Sequence, residues 1–168
     1  GLSGSNYVNL EGGTGLTGLT LTGGTSDDNA VVLVSATTLL NSLDASATDG
    51  TNEYTVSGRS DITIKGGAGD DTFIMGTSLS NNDSFIGGSG TDTVTATLAS
   101  SSTRKLNTSG MEASEITMNT DGARVDASAS DITTHTFLAS ADVSGSIINL
   151  MSDSTINLSE EIGRASCR

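Results

Sequence analysis

Gly66-Gly67-Ala68-Gly69-Asp70-Asp71-Thr72-Phe73-Ile74 is the stretch whose reading decides the fold. Its early glycines, the Asp at the sixth position and the large apolar residue at the eighth describe a turn followed by a short strand. Gly87-Gly88-Ser89-Gly90-Thr91-Asp92-Thr93-Val94-Thr95 repeats the pattern in full 21 positions later. Between them, Ser78 to Ile86 abuts the second copy in phase, without glycines but with Asp83 at the sixth position and Phe85 at the eighth. Only Met75, Gly76 and Thr77 stand outside the phase. Upstream, Ser57 to Lys65 places Ile64 at the eighth position but has no Asp at the sixth. Gly23 to Val31 is a weaker relative that keeps the first two glycines and Asp28. The chain is a degenerate repeat array, best kept over 66–95.

This nonapeptide resembles the calcium-binding repeat of RTX proteins. The segment after it is similar in texture to bacterial surface-layer and related RTX-type proteins. There the strand Thr91 to Leu98 is followed by the turn Ser109-Gly110-Met111-Glu112 and a second Thr-rich strand, Glu115 to Asn119. Val125 to Ser128 and Ser144 to Leu150 continue it, whereas the N-terminal third departs most. The resemblance implies an all-β fold, a right-handed parallel β-solenoid with calcium-binding turns and one core side chain per strand. With half a turn per nonapeptide, the turns at 66–71 and 87–92 share one edge and 78–83 lies on the other.

The resemblance also implies a ligand set. Asp71, Asp83 and Asp92 would offer carboxylates, and Gly66, Ala68, Gly87 and Ser89 would contribute from the same turns, with Asp28 a weaker addition. Asp71 and Asp92 would share one ion. Such hard oxygen donors suit Ca²⁺, which takes six to eight of them. Strand alternation sends Ile64, Phe73, Phe85 and Val94 inward, and Thr72, Ser84 and Thr93 outward.

Composition agrees with a thin core. Aromatic residues are 3% of the 168, and neither Trp nor Pro occurs, which is too little bulk for a thick core but enough for a solenoid that buries one or two side chains per rung. Short alternating runs recur: Leu19-Thr20-Leu21, Ile62-Thr63-Ile64, Val94-Thr95-Ala96, Ile116-Thr117-Met118 and Ile156-Asn157-Leu158. Thr37 to Leu43 is the best helical candidate, about two turns long. The net charge of −13 disfavours nucleic acid and anionic membranes as partners. The longest apolar run, Ala30 to Val34, is far short of the roughly 20 residues of a span.

Residues 1–160 are expected to form a single solenoid segment of a longer protein. Residues 161–168, with the only cysteine, Cys167, resemble the translation of a sequencing-adapter oligonucleotide and are expected to be a non-native tail. Several other signals carry little. Gly13 to Gly18 fits the dinucleotide fingerprint, but the strand-like Leu19-Thr20-Leu21-Thr22 follows where a helix should open. His135, the only histidine, lacks partners for a triad or zinc site and is expected to face solvent on a strand. The glycosylation sequons at Asn82, Asn107 and Asn157 are expected by chance in so Ser/Thr-rich a chain. Asp70 and Asp71 as an acid/base pair would need basic or aromatic sugar-binding neighbours, and none cluster nearby.

The expected function follows from the resemblance. It is a non-enzymatic, calcium-binding structural module of a secreted bacterial cell-surface protein, a surface layer or an RTX adhesin. Such a protein would leave by type I secretion and fold outside the cell as Ca²⁺ binds. Expected partners are calcium ions, and further copies of itself or a cell-surface polysaccharide; neither nucleic acid nor membrane insertion is expected. Two rivals remain: an accessory region of a secreted hydrolase with its catalytic domain elsewhere, and a calcium-free phage or fibre β-helix.

Overall fold

A computed structural model describes residues 6–11, 15–22, 30–35, 39–58, 61–139 and 143–158, and the backbone of 164–167. Among these residues there are strands and no helices. The strands are β1 (Asn6–Leu10), β2 (Gly18–Thr22), β3 (Ala30–Val34), β4 (Ser42–Ala47), β5 (Asn52–Val56) and β6 (Thr63–Lys65). Next come β7 (Thr72–Ile74), β8 (Ser84–Ile86), β9 (Thr93–Leu98), β10 (Thr103–Ser109) and β11 (Ala113–Met118). The series ends with β12 (Ala123–Ala129), β13 (Thr134–Ala139), β14 (Ser144–Ile148), β15 (Thr155–Leu158) and β16 (Arg164–Cys167). Odd-numbered strands form one eight-stranded sheet and even-numbered strands another, each in chain order. Every pairing is parallel, for example Thr72 opposite Thr93 and Ile64 opposite Phe85. The chain is therefore a parallel β-solenoid that visits both sheets in every turn.

The core lies between the sheets, and two facing lines run along its middle. In the odd-strand sheet, Val32, Tyr54, Phe73, Val94, Ser114 and His135 stack in register and are buried. In the other sheet Leu43, Ile64 and Phe85 do the same. Phe73 bridges the two: its ring is 5.1 Å from that of Tyr54 on its own sheet and 5.9 Å, edge-on, from Phe85 across the core. Ile64, Phe73, Phe85 and Val94 are all fully buried, with Thr72, Ser84 and Thr93 half-buried between them, so the predicted register holds.

Two expectations are corrected. Within Thr37 to Leu43, residues 37 and 38 lie outside the described residues, Leu39 to Asn41 are irregular, and Ser42 and Leu43 open β4. Leu43 and Ala45 are buried with Asp44 between them, so the period there is two and not 3.6. His135 is fully buried instead of facing solvent. On β13 it shares parity with Phe137 and Ala139, while Thr134, Thr136 and Leu138 take the outer positions. Its Nδ1 lies 2.7 Å from the Ser114 hydroxyl one rung away, which partners one side of the ring. Arg164–Cys167, in the stretch set apart as a tail, pairs in parallel with β14.

Candidate metal centre

The two complete nonapeptides occupy equivalent places. Residues 66–71 link β6 to β7, and residues 87–92 link β8 to β9, so both turns stand on one edge of the solenoid, one rung apart. Residues 75–83, linking β7 to β8, lie on the opposite edge. Stacking of the turns accounts for their glycines. A Cβ on Gly88 would meet the Gly67 carbonyl, and one on Gly90 the Gly69 carbonyl, with both residues also at strongly positive φ (121° and 128°). Such close approach of backbone to backbone leaves no room for side chains.

The Asp residues have a role in the same stacking. Asp71 Oδ1 accepts the Asn52 N–H at 2.8 Å, Asp92 Oδ1 accepts the Asp71 N–H at 2.7 Å, and Glu112 Oε2 accepts the Asp92 N–H at 2.7 Å. The Asn52 side-chain oxygen begins the series by accepting from Ala30 at 3.2 Å. One side-chain oxygen per rung thus caps an amide of the rung before it, satisfying donors that would otherwise be buried unpaired. On the other edge Asp83 works alike, accepting from the Ile62 N–H at 2.9 Å and the Ser80 N–H at 2.7 Å. Neither Asn52 nor Glu112 belongs to the ligand set that the resemblance implies. Their signal is positional: Asn52 opens β5 and Glu112 immediately precedes β11, at the strand entries where Asp71 and Asp92 precede β7 and β9.

Asp71, Asp83 and Asp92 are all fully buried. Asp71 Oδ2 accepts the Gly67 N–H at 2.7 Å, so both its oxygens are engaged. Asp92 differs. Gly88, the counterpart of Gly67, turns to positive φ, and Asp92 Oδ2 has no hydrogen-bond partner. That oxygen and the Gly110 carbonyl both close on the space that a Cβ of Gly87 would fill. At Gly66 the pair is Asp71 Oδ2 and the Gly87 carbonyl.

No family model matches this chain, and neither does a curated protein or a solved structure.

Burial pushes the Asp71 and Asp83 carboxyls up from their ordinary value, partly offset by the N–H groups they accept. Asp92 is pushed up to about 6, mainly by burial and further by the negative charges of Asp71, Glu112 and Asp70. A buried carboxylate that faces like charges, with one oxygen outside any hydrogen bond, is a suitable donor for a hard cation. Asp92 therefore fits Ca²⁺ better than Asp71 or Asp83, whose oxygens already hold amide protons. Gly66 and Gly87 are buried beside their Asp partners, whereas Ala68 and Ser89 are exposed at the turn tips. Among the described residues no three acidic, His or Cys side chains converge, so carbonyl oxygens would have to complete any shell. Asp28 lies outside the described residues.

Proposed function

We propose that this chain is a calcium-stabilised, non-enzymatic structural module of a secreted bacterial surface protein. The observation that carries the reading is the buried, unpartnered Oδ2 of Asp92 beside the Gly110 carbonyl, in a turn whose neighbours Asp71 and Glu112 add negative charge. Asp92 would hold the ion, with carbonyl oxygens of the stacked turns at Gly87 and Gly110 around it. Bound Ca²⁺ supplies positive charge that offsets the packed carboxylates, so that binding energy becomes folding energy. The resemblance to RTX and surface-layer repeats supports export and folding outside the cell, with further copies or a surface polysaccharide as partners. The same module would serve equally as the accessory region of a secreted hydrolase.

A second reading rests on the caps. Asp71 and Asp83 spend both carboxylate oxygens on backbone amides, and the glycines are explained by stacking, which favours a calcium-free β-helix for those rungs. Isothermal titration with CaCl₂, alongside circular dichroism in EDTA and in calcium, separates the two. Heat of binding with a gain in thermal stability supports the first; a chain equally folded and equally stable in EDTA, without binding heat, supports the second.

A further inference from the structure

The two outer faces of the solenoid differ. The even-strand sheet carries charge, including the Lys65–Asp44 ion pair at 2.8 Å and Lys105 opposite Asp126, and its register shifts within β2/β4 and within β10/β12. The odd-strand sheet runs through eight strands without such a shift. From β7 to β13 its outward positions are mostly threonine. One register row contains Thr72, Thr93, Thr134 and Thr155, broken by Ala113. The next contains Thr55, Thr95 and Thr136, with Ile74 and Glu115 between them, and a third sets Thr97 beside Thr117, with Leu138 following. Across these rows the charged residues are Glu53 and Glu115, in a chain of net charge −13.

Such a face is a lattice. Parallel strands set its hydroxyls and methyls about 4.7–4.9 Å apart across the sheet and about 6.6 Å apart along each strand. Threonine is stiff at χ1, so the array is ordered before anything binds and loses little entropy on binding. A partner that matches it must itself be periodic and uncharged. A sugar surface would call for aromatic platforms, and on this face the only aromatic side chain directed outward is Tyr7, at the end strand. A protein partner would call for large anchors, and threonine and valine are under-represented among binding hot spots. Ordered water meets both conditions: ice repeats its oxygens at comparable spacings, accepts and donates to hydroxyls, and accommodates methyl groups between them.

We propose that the threonine-lined outer face of the odd-strand sheet binds ice. The claim is independent of where calcium sits, and requires only that the solenoid be folded.

The test uses the full chain in calcium, with circular dichroism confirming the fold. Measured are thermal hysteresis, the shape of ice crystals grown in its presence, and partition of the protein into growing ice. The expected result is faceted crystals, measurable hysteresis and enrichment in ice. Thr95→Lys and Thr117→Lys should abolish all three, while Ser146→Lys on the even-strand sheet should leave them unchanged. The wild-type measurement decides even where a variant fails to fold. A folded wild-type chain that is excluded from ice and shows no hysteresis overturns the proposal. Binding to cellulose or chitin lost in Thr95→Lys, or a dimer dissociated by Thr117→Lys, without any effect on ice, would also overturn it. Ice binding that persists in EDTA with an intact fold leaves it standing, whatever the calcium titration shows.

Discussion

The backbone N–H of Asp71 donates to Oδ1 of Asp92, one rung on, at 2.7 Å. The two sixth-position acids of the complete nonapeptides are therefore joined directly, through an amide, and the free valence of the pair lies on Asp92 Oδ2. This makes the carboxylates unequal. Asp92→Asn keeps an oxygen able to cap the Asp71 amide but removes the buried charge. It should leave the calcium-free protein as stable as wild type or more so, and should abolish the calcium response. Asp71→Ala leaves the Asn52 and Gly67 amides without their acceptor and should destabilise the protein even in EDTA, by about 1–3 kcal/mol for each amide left buried and unpaired. Asp70→Ala, at an exposed and variable position, should weaken calcium binding far less than either Asp92→Ala or Asp71→Ala. Titration calorimetry and urea denaturation in EDTA read both effects; equal losses of binding from all three alanine variants would reduce the carboxylates to diffuse charge.

Phe73 touches Tyr54 on one side and Phe85 on the other, and is fully buried. Phe73→Ala should cost about 3–5 kcal/mol. Thr72→Ala, on the outer face, should cost well under about 1 kcal/mol, through strand propensity alone. Denaturant midpoints of the two variants compare them directly.

Gly87 faces the Gly110 carbonyl and the Asp92 side chain with no room for a methyl group. Gly87→Ala should therefore destabilise by about 1–3 kcal/mol or more and weaken calcium binding as well, because the rungs must part. Gly76→Ala is the control, with open space around its Cβ and only an unfavourable φ of 48°. Its cost should be smaller and its calcium binding unchanged.

Burial holds the His135 imidazole below its ordinary value of 6.5. A histidine kept neutral in the fold contributes stability that is lost as the pH falls below about 6.5, because the unfolded chain then takes up the proton that the folded one refuses. The raised carboxyls of Asp71, Asp83 and Asp92 act in the opposite sense, their contribution falling as pH rises. Comparing wild type with His135→Leu cancels them. The variant should gain on wild type as pH drops below about 6.5, and a stability difference independent of pH would place a solvated histidine, titrating as in the unfolded chain, in the fold.

The repeat made the centre of the solenoid legible. Phase alone turned Ile64, Phe73, Phe85 and Val94 inward, because side-chain parity in a strand has only two outcomes; the structure divides that one core line between the two sheets. The same parity rule applied to Thr134-His135-Thr136-Phe137 would have buried His135; its polarity and its Thr neighbours argued the other way, and the Ser114 hydroxyl that partners it is 21 residues distant. Thr37 to Leu43 misled because a short apolar run carries no period long enough to separate helix from strand. The capping roles of Asn52 and Glu112 escaped for a different reason. They depend on which turn stacks on which, and the spacing varies from rung to rung as turns gain and lose residues. Nothing in the nonapeptide pattern distinguishes Asp92 from Asp71 either; the difference accompanies the positive φ of Gly88 and Gly90, which Gly67 and Gly69 do not share.

Calcium titration of the full chain, by calorimetry with circular dichroism on the same samples, tests the central claim most directly. The account predicts binding with a dissociation constant on the order of 10⁻⁴–10⁻³ M, as in extracellular modules, with magnesium a poor substitute because of its small octahedral shell. Thermal stability should rise with calcium over the same range. No heat and no change in stability up to about tenfold above that range would contradict it, and would leave the Asp ladder as a set of backbone caps.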